Sequence, residues 1–355
     1  ADKPLGGLTA DCRLCAFQGV AQGGLTPMIV VTGGAGFIGS AVVAALNAAG
    51  EKNIVIVDNL EDSSKWKNLV SLQYRHYLHK SQFLAALATP ELKGVKTIVH
   101  MGACSSTTET DGDYLMANNY AYTRMLTEFA LEKNIRLIYA SSAATYGGIE
   151  KGFDDDDAVS LTLKPINRYG YSKQFFDEVA IANGWQKHIA GLKFFNVYGP
   201  NEYHKADMSS VVYKAFNQIG ENGFLKLFKS HRPDYADGEQ KRDFVYIKDC
   251  ADVIMQLIAK PQVNGIFNLG SGGARSWNDL AAAVFAAMGA EKKIEYIEMP
   301  SNLVGSYQYF TEANMTKLAA AGIQLKKTSL EDGVYDYVQN YMIPGYLKLQ
   351  DKRSL

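Results

Sequence analysis

Met28-Ile29-Val30-Val31-Thr32-Gly33-Gly34-Ala35-Gly36-Phe37-Ile38-Gly39 says more about the fold than any other stretch of this chain. A β-branched run passes into four closely spaced glycines and then into an alanine-rich stretch, about Phe37 to Ala49, with helical character. The glycines can be spelled G-x-x-G-x-x-G or G-x-G-x-x-G. Either spelling alone is weak; a strand before it and a helix after it make it informative. Missing side chains let the backbone approach a pyrophosphate, and the helix start offers unpaired N–H donors to it. Asp58 closes the next β-branched run, Asn53–Asp58, where a carboxylate can accept from ribose hydroxyls. Strand, turn, helix and acid in this order predict a dinucleotide site. An acid at 58 repels a ribose 2′-phosphate, while Lys65 and Lys80 downstream could sit over one, so residue chemistry leaves NAD and NADP both open.

Outward from this turn, short apolar strands alternate with helical stretches. Thr97–His100, Arg136–Ser141 and Lys187–Phe195 read as strands. A helical stretch covers about Tyr114 to Glu132, and another contains Lys173. That alternation predicts an α/β fold with a doubly wound parallel sheet. Beyond about Asn196 it weakens. Helical stretches near Ser209–Gly220 and at Trp277–Met288 predict a smaller mixed α/β lobe over 196–345, with some segments returning to the sheet, followed by a tail at 346–355. The dinucleotide domain is expected over 28–195. Residues 1–27 are loose and Gly/Pro-punctuated, without the basic start and apolar core of a secretory signal, and stay outside the fold argument. Glu150–Lys164, with four consecutive Asp, and Lys229–Gln240 read as solvated surface loops.

Bulk properties narrow the field. The 355 residues carry 36 basic and 37 acidic side chains, a formal net charge of −1, which gives no general pull toward nucleic acid or a membrane. No run approaches the length of a membrane span. Four cysteines are too few to staple a chain this long, so a cytoplasmic setting is expected. Cys12 and Cys15 form a C-x-x-C without the second pair a zinc ribbon needs. The six histidines show no metal-ligand spacing, so no metal is expected, and His100 at a strand end reads as packed.

Tyr169-Gly170-Tyr171-Ser172-Lys173 contains Y-x-x-x-K, placing Tyr169 and Lys173 one helical turn apart. An ammonium close to the phenol, aided by a positive nicotinamide, would lower the tyrosine pKa toward that of a useful general base. Ser141-Ser142-Ala143-Ala144-Thr145-Tyr146-Gly147 follows a strand, and a serine hydroxyl there can orient the reacting oxygen. Tyr171, two residues on, is expected to face elsewhere and pack in the core.

Together these residues resemble the extended short-chain dehydrogenase/reductase family, which implies a Rossmann domain and a Ser–Tyr–Lys set. Further segments sharpen the likeness. His100-Met101-Gly102-Ala103-Cys104-Ser105-Ser106-Thr107-Thr108-Glu109, Ala140–Gly148, Phe195-Asn196-Val197-Tyr198-Gly199-Pro200, His204-Lys205, Lys241-Arg242-Asp243-Phe244-Val245-Tyr246 and Tyr307-Gln308-Tyr309-Phe310-Thr311 resemble the ADP-L-glycero-D-manno-heptose 6-epimerase family over roughly Met28 to Tyr341. That resemblance implies oxidation and re-reduction at C6″ of an ADP-heptose with NADP, tightly bound, as cofactor. It implies Tyr169 and Lys205 as two bases on opposite faces, with Ser142 and Lys173 supporting the first. By itself Lys205 reads as a surface lysine. The cofactor positions implied are Gly33, Gly36, Phe37, Ile38, Gly39, Asp58, Asn59, Lys65, Lys80, Gly102, Ala103, Cys104, Ser105, Asn118, Lys173, Val197 and Lys205. Those implied for substrate are Ser142, Asn196, Asp207, Lys214, Phe228, Arg242 and Tyr307, the arginine pairing with a phosphate. The resemblance also implies a homo-oligomer, a pentamer, working in lipopolysaccharide heptose synthesis. The chain departs from the family pattern at Met101, Asp207 and Lys214, and its Lys229–Gln240 loop is longer.

Three other readings use the same parts. A 4,6-dehydratase needs acids beside the catalytic serine, where Ala143 and Ala144 stand. A UDP-hexose 4-epimerase shares the Ser–Tyr–Lys set, and the Cys104–Glu109 stretch argues against it. A non-catalytic dinucleotide sensor would commonly lose the Tyr–Lys pair, which is intact.

Overall fold

All five residues of β1 (Met28–Thr32) are buried, as are all five of β2 (Ile54–Asp58), which marks strands covered on both faces. The computed structural model describes residues 27–301 and 307–354; Cys12, Cys15 and nearly all of the N-terminal stretch lie outside them. Next along the chain come β3 (His76–His79), β4 (Val95–His100), β5 (Arg136–Ser142) and β6 (Ala190–Phe194). They are followed by β7 (Asn196–Tyr198), β8 (Leu225–Phe228), β9 (Lys241–Tyr246), β10 (Gly265–Leu269), β11 (Ala274–Ser276) and β12 (Ile294–Ile297).

Seven strands form one sheet in the order β10-β6-β5-β4-β1-β2-β3, and every pairing in it is parallel. The chain reverses direction across the sheet between β1 and β4. In open α/β sheets a ligand crevice forms at that point, outside the carboxyl ends of the strands. A three-stranded sheet, β11-β9-β7, and the pair β12-β8 build the smaller lobe, while β10 returns from it to the main sheet.

Local chemistry sets the element boundaries. The first helix, Phe37–Ala48, starts at Gly36, which has no side chain to cap it. Ser210 caps the helix Val211–Asn222 by accepting from the Tyr213 N–H, which moves its start beyond the expected Ser209. Ser276 and Asp279 make a reciprocal capping box on Trp277–Met288. The expected Tyr114–Glu132 helix is broken by a π-helical turn at Met116–Ala121 before continuing as Tyr122–Glu132. Asn119 in that turn bonds away from the helix.

Two expectations fail. The acidic loop is not simply solvated: Phe153 and Asp155 are buried, and Asp155 Oδ2 accepts from the Asn268 N–H at 2.6 Å. Burial pushes the Asp155 carboxyl up to about 6. Within the run only this carboxylate bonds to β10, while the Asp155 carbonyl accepts from Lys317, so one acid in four is drawn inward. Tyr171 is 51% exposed and stacks on Phe175 at 5.9 Å, because Y-x-x-x-K turns position 169, not 171, toward the sheet. In the second predicted loop, Gln240 is fully buried while Arg232 pairs with Glu150 and Asp234. The chain end also packs: Gln350 is buried and donates to the Asn68 and Val70 carbonyls.

Beneath β5 lies an ion pair with no exposure on either side, Lys193 Nζ to Asp177 Oδ2 at 2.7 Å. Asp177 also accepts from Tyr139 (2.8 Å) and Ser141 (2.7 Å), and Lys193 donates to Thr145 (2.9 Å). These bonds join β5, β6 and the helix Arg168–Ala182. Removing one partner strands a charge in the core. Lys193→Ala is expected to cost about 3–5 kcal/mol, read as a lower urea midpoint; a change below about 1 kcal/mol would mean the pair is not holding these elements together.

Candidate active site

Gly33 adopts φ +65°, and a Cβ there would stand 2.6 Å from the Gly102 nitrogen. The turn after β1 and the turn after β4 therefore touch backbone to backbone. A Cβ on Gly39 would lie 2.0 Å from the Gly33 carbonyl oxygen, so the first turn of the helix also closes onto the loop. His100 links the same elements from below: Nδ1 meets Thr32 Oγ1 at 2.6 Å and Nε2 meets Thr123 Oγ1 at 2.9 Å. Burial lowers this imidazole to about 3, so it stays neutral, packed as expected.

A cavity of about 600 Å³ opens above this junction. Of the positions expected to hold a cofactor, Gly33, Gly36, Phe37, Ile38, Gly39, Asp58, Asn59, Lys65, Lys80, Gly102, Ala103, Cys104, Ser105, Asn118 and Lys205 all stand on its wall. Val197 and Lys173 do not. The wall suits an elongated anion: glycines where a side chain would block approach, a helix start without a cap, and Lys65 and Lys80 at the far side. A nicotinamide dinucleotide fits this donor set. Sequence reasoning missed Glu61, Tyr114, Tyr122 and Met208 on the same wall, since no motif marks them, and gave no role to His204 beside Lys205.

Asp58 does more than face the cavity. Its Oδ2 accepts from the Ala35 N–H at 2.8 Å, bracing the glycine turn. Its Oδ1 accepts from the Asn59 N–H and from Lys65 Nζ, both at 2.8 Å. The lysine thus neutralises the acid. Lys80 donates to Asn118 Oδ1 at 3.1 Å.

On the helix Arg168–Ala182, Tyr169 is hydrogen-bonded to Ser142, whose hydroxyl favours the phenolate, yet burial dominates and raises the phenol above its usual range. Lys173 Nζ donates instead to the Ala140 carbonyl at 2.7 Å. Burial brings this ammonium down to about 8 against the opposing pull of Asp177. The expected lowering of the tyrosine by the lysine is therefore not produced by the protein's own groups. Lys173 spends its proton on the strand end that carries Ser142. Asn119 holds the neighbouring loop, accepting from the Cys104 N–H at 2.8 Å and donating to the Cys104 carbonyl and to Ser172, both at 3.0 Å.

A second cavity, about 230 Å³, is lined by Phe195, Asn196, Val197, Phe244, Trp277 and Lys205, among others. Lys205 is the point of contact: it stands on the walls of both cavities, its Nζ 5.3 Å from the Phe37 ring centre. Burial lowers its pKa, with the neighbouring Lys214 adding to the effect and Glu202 opposing it. Trp277 brings in two more expected residues. Its Nε1 donates to the Tyr307 hydroxyl at 2.8 Å, and the Arg242 guanidinium lies 5.7 Å from its ring. Arg242 is buried and 5.1 Å from the Tyr307 ring. Of the expected substrate residues, Asn196 alone stands on either wall; Ser142, Arg242 and Tyr307 lie off both, as do Phe228, which ends β8, and the exposed Asp207 and Lys214, Lys214 Nζ donating to the Asp207 carbonyl at 2.6 Å. Among the described residues no three His, Cys, Asp or Glu side chains converge as metal ligands, and no helix is long and apolar enough to cross a membrane.

Residues 29–270 match the model of the NAD dependent epimerase/dehydratase family. The chain is 57% identical over 316 residues to the ADP-L-glycero-D-manno-heptose-6-epimerase of Nitratidesulfovibrio vulgaris strain DP4, covering 89% of this chain and 98% of that one. A Fusobacterium nucleatum protein of the same name is 49% identical with the same coverage. Among solved structures, the Helicobacter pylori ADP-L-glycero-D-manno-heptose-6-epimerase superposes with a TM-score of 0.74 at 28% identity, over 88% of this chain and 96% of that one. The Thermus thermophilus UDP-glucose 4-epimerase, solved with NAD, shares the fold with a TM-score of 0.71 at 22% identity, over 90% of this chain and 100% of that one. A nicotinamide dinucleotide site built on this sheet, matched over nearly the full length of such relatives, places the chain in the NAD dependent epimerase/dehydratase family, among its ADP-L-glycero-D-manno-heptose-6-epimerases.

Proposed function

We propose that this protein interconverts ADP-D-glycero- and ADP-L-glycero-D-manno-heptose by oxidation and re-reduction at C6″, with tightly bound NADP. The observation that carries the reading is Lys205 on the walls of both cavities, apart from the Ser142–Tyr169 pair. Inverting a carbinol centre needs a proton removed and returned for each face. One acid–base group on either side of the sugar meets that need. A nicotinamide dinucleotide held by the glycine turn, Lys65 and Lys80 would supply a reversible two-electron oxidation at the sugar carbon.

Tyr169 exchanges the hydroxyl proton on one side, with Ser142 donating a hydrogen bond to the reacting oxygen. Lys173 holds the Ala140 carbonyl and so fixes the strand end that aims Ser142. Lys205 exchanges the proton on the other side, and burial, by lowering its pKa, eases the loss of that proton. Asn196 and Tyr307 orient the sugar nucleotide, and the buried Arg242 guanidinium pairs with its diphosphate. Asp207, in the turn Ala206–Met208, Lys214, on the helix Val211–Asn222, and Phe228, at the end of β8, lie off both cavities and take no part in this reading.

NADP is favoured over NAD because Lys65 cancels the charge on Asp58, which would otherwise repel a 2′-phosphate, and Lys80 adds a second cation on the same wall. The reading extends to a homo-oligomeric enzyme of the cytoplasm that supplies heptose for lipopolysaccharide.

Incubation with ADP-D-glycero-D-manno-heptose, followed by NMR at C6″, is expected to show inversion; activity on UDP-galactose instead would sink the assignment. Tyr169→Phe is expected to lower turnover about 10²-fold or more, and near-normal turnover would remove Tyr169 from its role. Denaturing the purified protein is expected to release NADP, and Lys65→Glu to lose it by restoring an uncompensated negative wall. Release of NAD alone would overturn the cofactor choice.

A further inference from the structure

Lys205 sits in a loop that its own sequence does not stabilise. Asn201 at φ +80° and Ala206 at φ +45° flank it, two non-glycine residues in the left-handed region within six positions. Such conformations persist only where the surroundings over-determine them. Between them lies Glu202, with no exposure. Its Oε1 accepts from the Gly199 N–H at 3.2 Å and from Ser210 Oγ at 2.7 Å, and its Oε2 accepts from the Ser210 N–H at 2.5 Å. One carboxylate thus clips together the two ends of the 199–210 loop. Its backbone carbonyl accepts from the Lys205 N–H at 2.9 Å.

We propose that Glu202 is the positioning residue for Lys205, holding the turn that presents it to both cavities and supplying the negative charge that its ammonium faces. The inference rests on the reading of Lys205 as the second acid–base group. Among the described residues the two side chains form no ion pair, which leaves the ammonium directed at the cavities and not locked onto a partner. The groups facing Lys205 are few: Glu202, which favours its protonated form; Lys214, which disfavours it; the neighbouring His204, itself held neutral by burial; and the Phe37 ring. Glu202 is therefore the one nearby group that holds the proton on Lys205 against burial. Burial raises the Glu202 carboxyl above its usual range, and Ser210, Lys205 and Gly199 act against that rise.

Peptide-resolved acetylation of Lys205 against pH, followed by mass spectrometry, reads its titration without substrate. Glu202→Gln removes the charge, so the midpoint is expected to fall by about one pH unit. Glu202→Asp should lie between that variant and the wild type, and decides the matter by itself if the glutamine variant does not fold. Ser210→Ala removes the hydroxyl donor to Glu202 and the cap of the Val211–Asn222 helix while keeping the carboxylate; it is expected to lower the melting temperature and leave the midpoint in place. An unmoved midpoint in both Glu202 variants overturns the proposal. In turnover, Glu202→Gln should lower kcat with little change in KM, and should add nothing in a Lys205→Met background. An equal loss in that background overturns the proposal as well. Full turnover by Lys205→Met would refute instead the role of Lys205 on which it rests, a result separate from the titration.

Discussion

The approach of Gly33 to Gly102, backbone against backbone, is the constraint on which the site depends. Side chains at either position would push β1 and β4 loops apart at the point where the strand order reverses. Held together, they leave a crevice at the carboxyl ends of the strands and turn the start of the Phe37–Ala48 helix into it. Thr32 and His100 tie the two turns from beneath, and Asp58 braces the loop through Ala35. The acid expected to meet a ribose is thus also a structural part of the glycine turn. That dual duty explains why Lys65 lies against it: a buried carboxylate at 6% exposure holds its charge more cheaply with a cation beside it.

Charge is managed in the same way deeper in the protein. Asp177 and Lys193 are fully buried, yet each has further hydrogen-bond partners, so neither is left uncompensated. Their network lies directly behind β5, whose end presents Ser142, and on the helix that carries Tyr169 and Lys173. Rigidity at the end of β5 follows from polar groups that have only one satisfactory arrangement. Glu202 does comparable work for the 199–210 loop, joining its ends through Gly199 and Ser210. The helix of Tyr169 and the loop of Lys205 each rest on a buried carboxylate.

The smaller lobe was harder to read. Its strands are short, and the helix Ile247–Ala259 and strand β10 belong to the larger body although they follow it in sequence. The expected substrate residues divide accordingly. Asn196 is on a cavity wall, and Arg242 and Tyr307 reach one through Trp277. Asp207, Lys214 and Phe228 do not. Two of these three are positions where the chain departs from the family pattern, and the carbonyl of one binds the ammonium of the other.

By itself the sequence determined the alternating core of the sheet, the glycine turn and the spacing of Tyr169 and Lys173. Each of these is written in local periodicity or in residue types with a single conformational use. The order of the strands, the burial of Asp155 and the outward face of Tyr171 came only with the tertiary structure, because they depend on which distant segment covers a given face. The same holds for the catalytic chemistry. Lys173 is one turn from Tyr169, as the spacing requires, but the Ala140 carbonyl decides where its proton points. Lys205 reads as a solvated lysine until two left-handed residues and a buried carboxylate turn it between the two cavities.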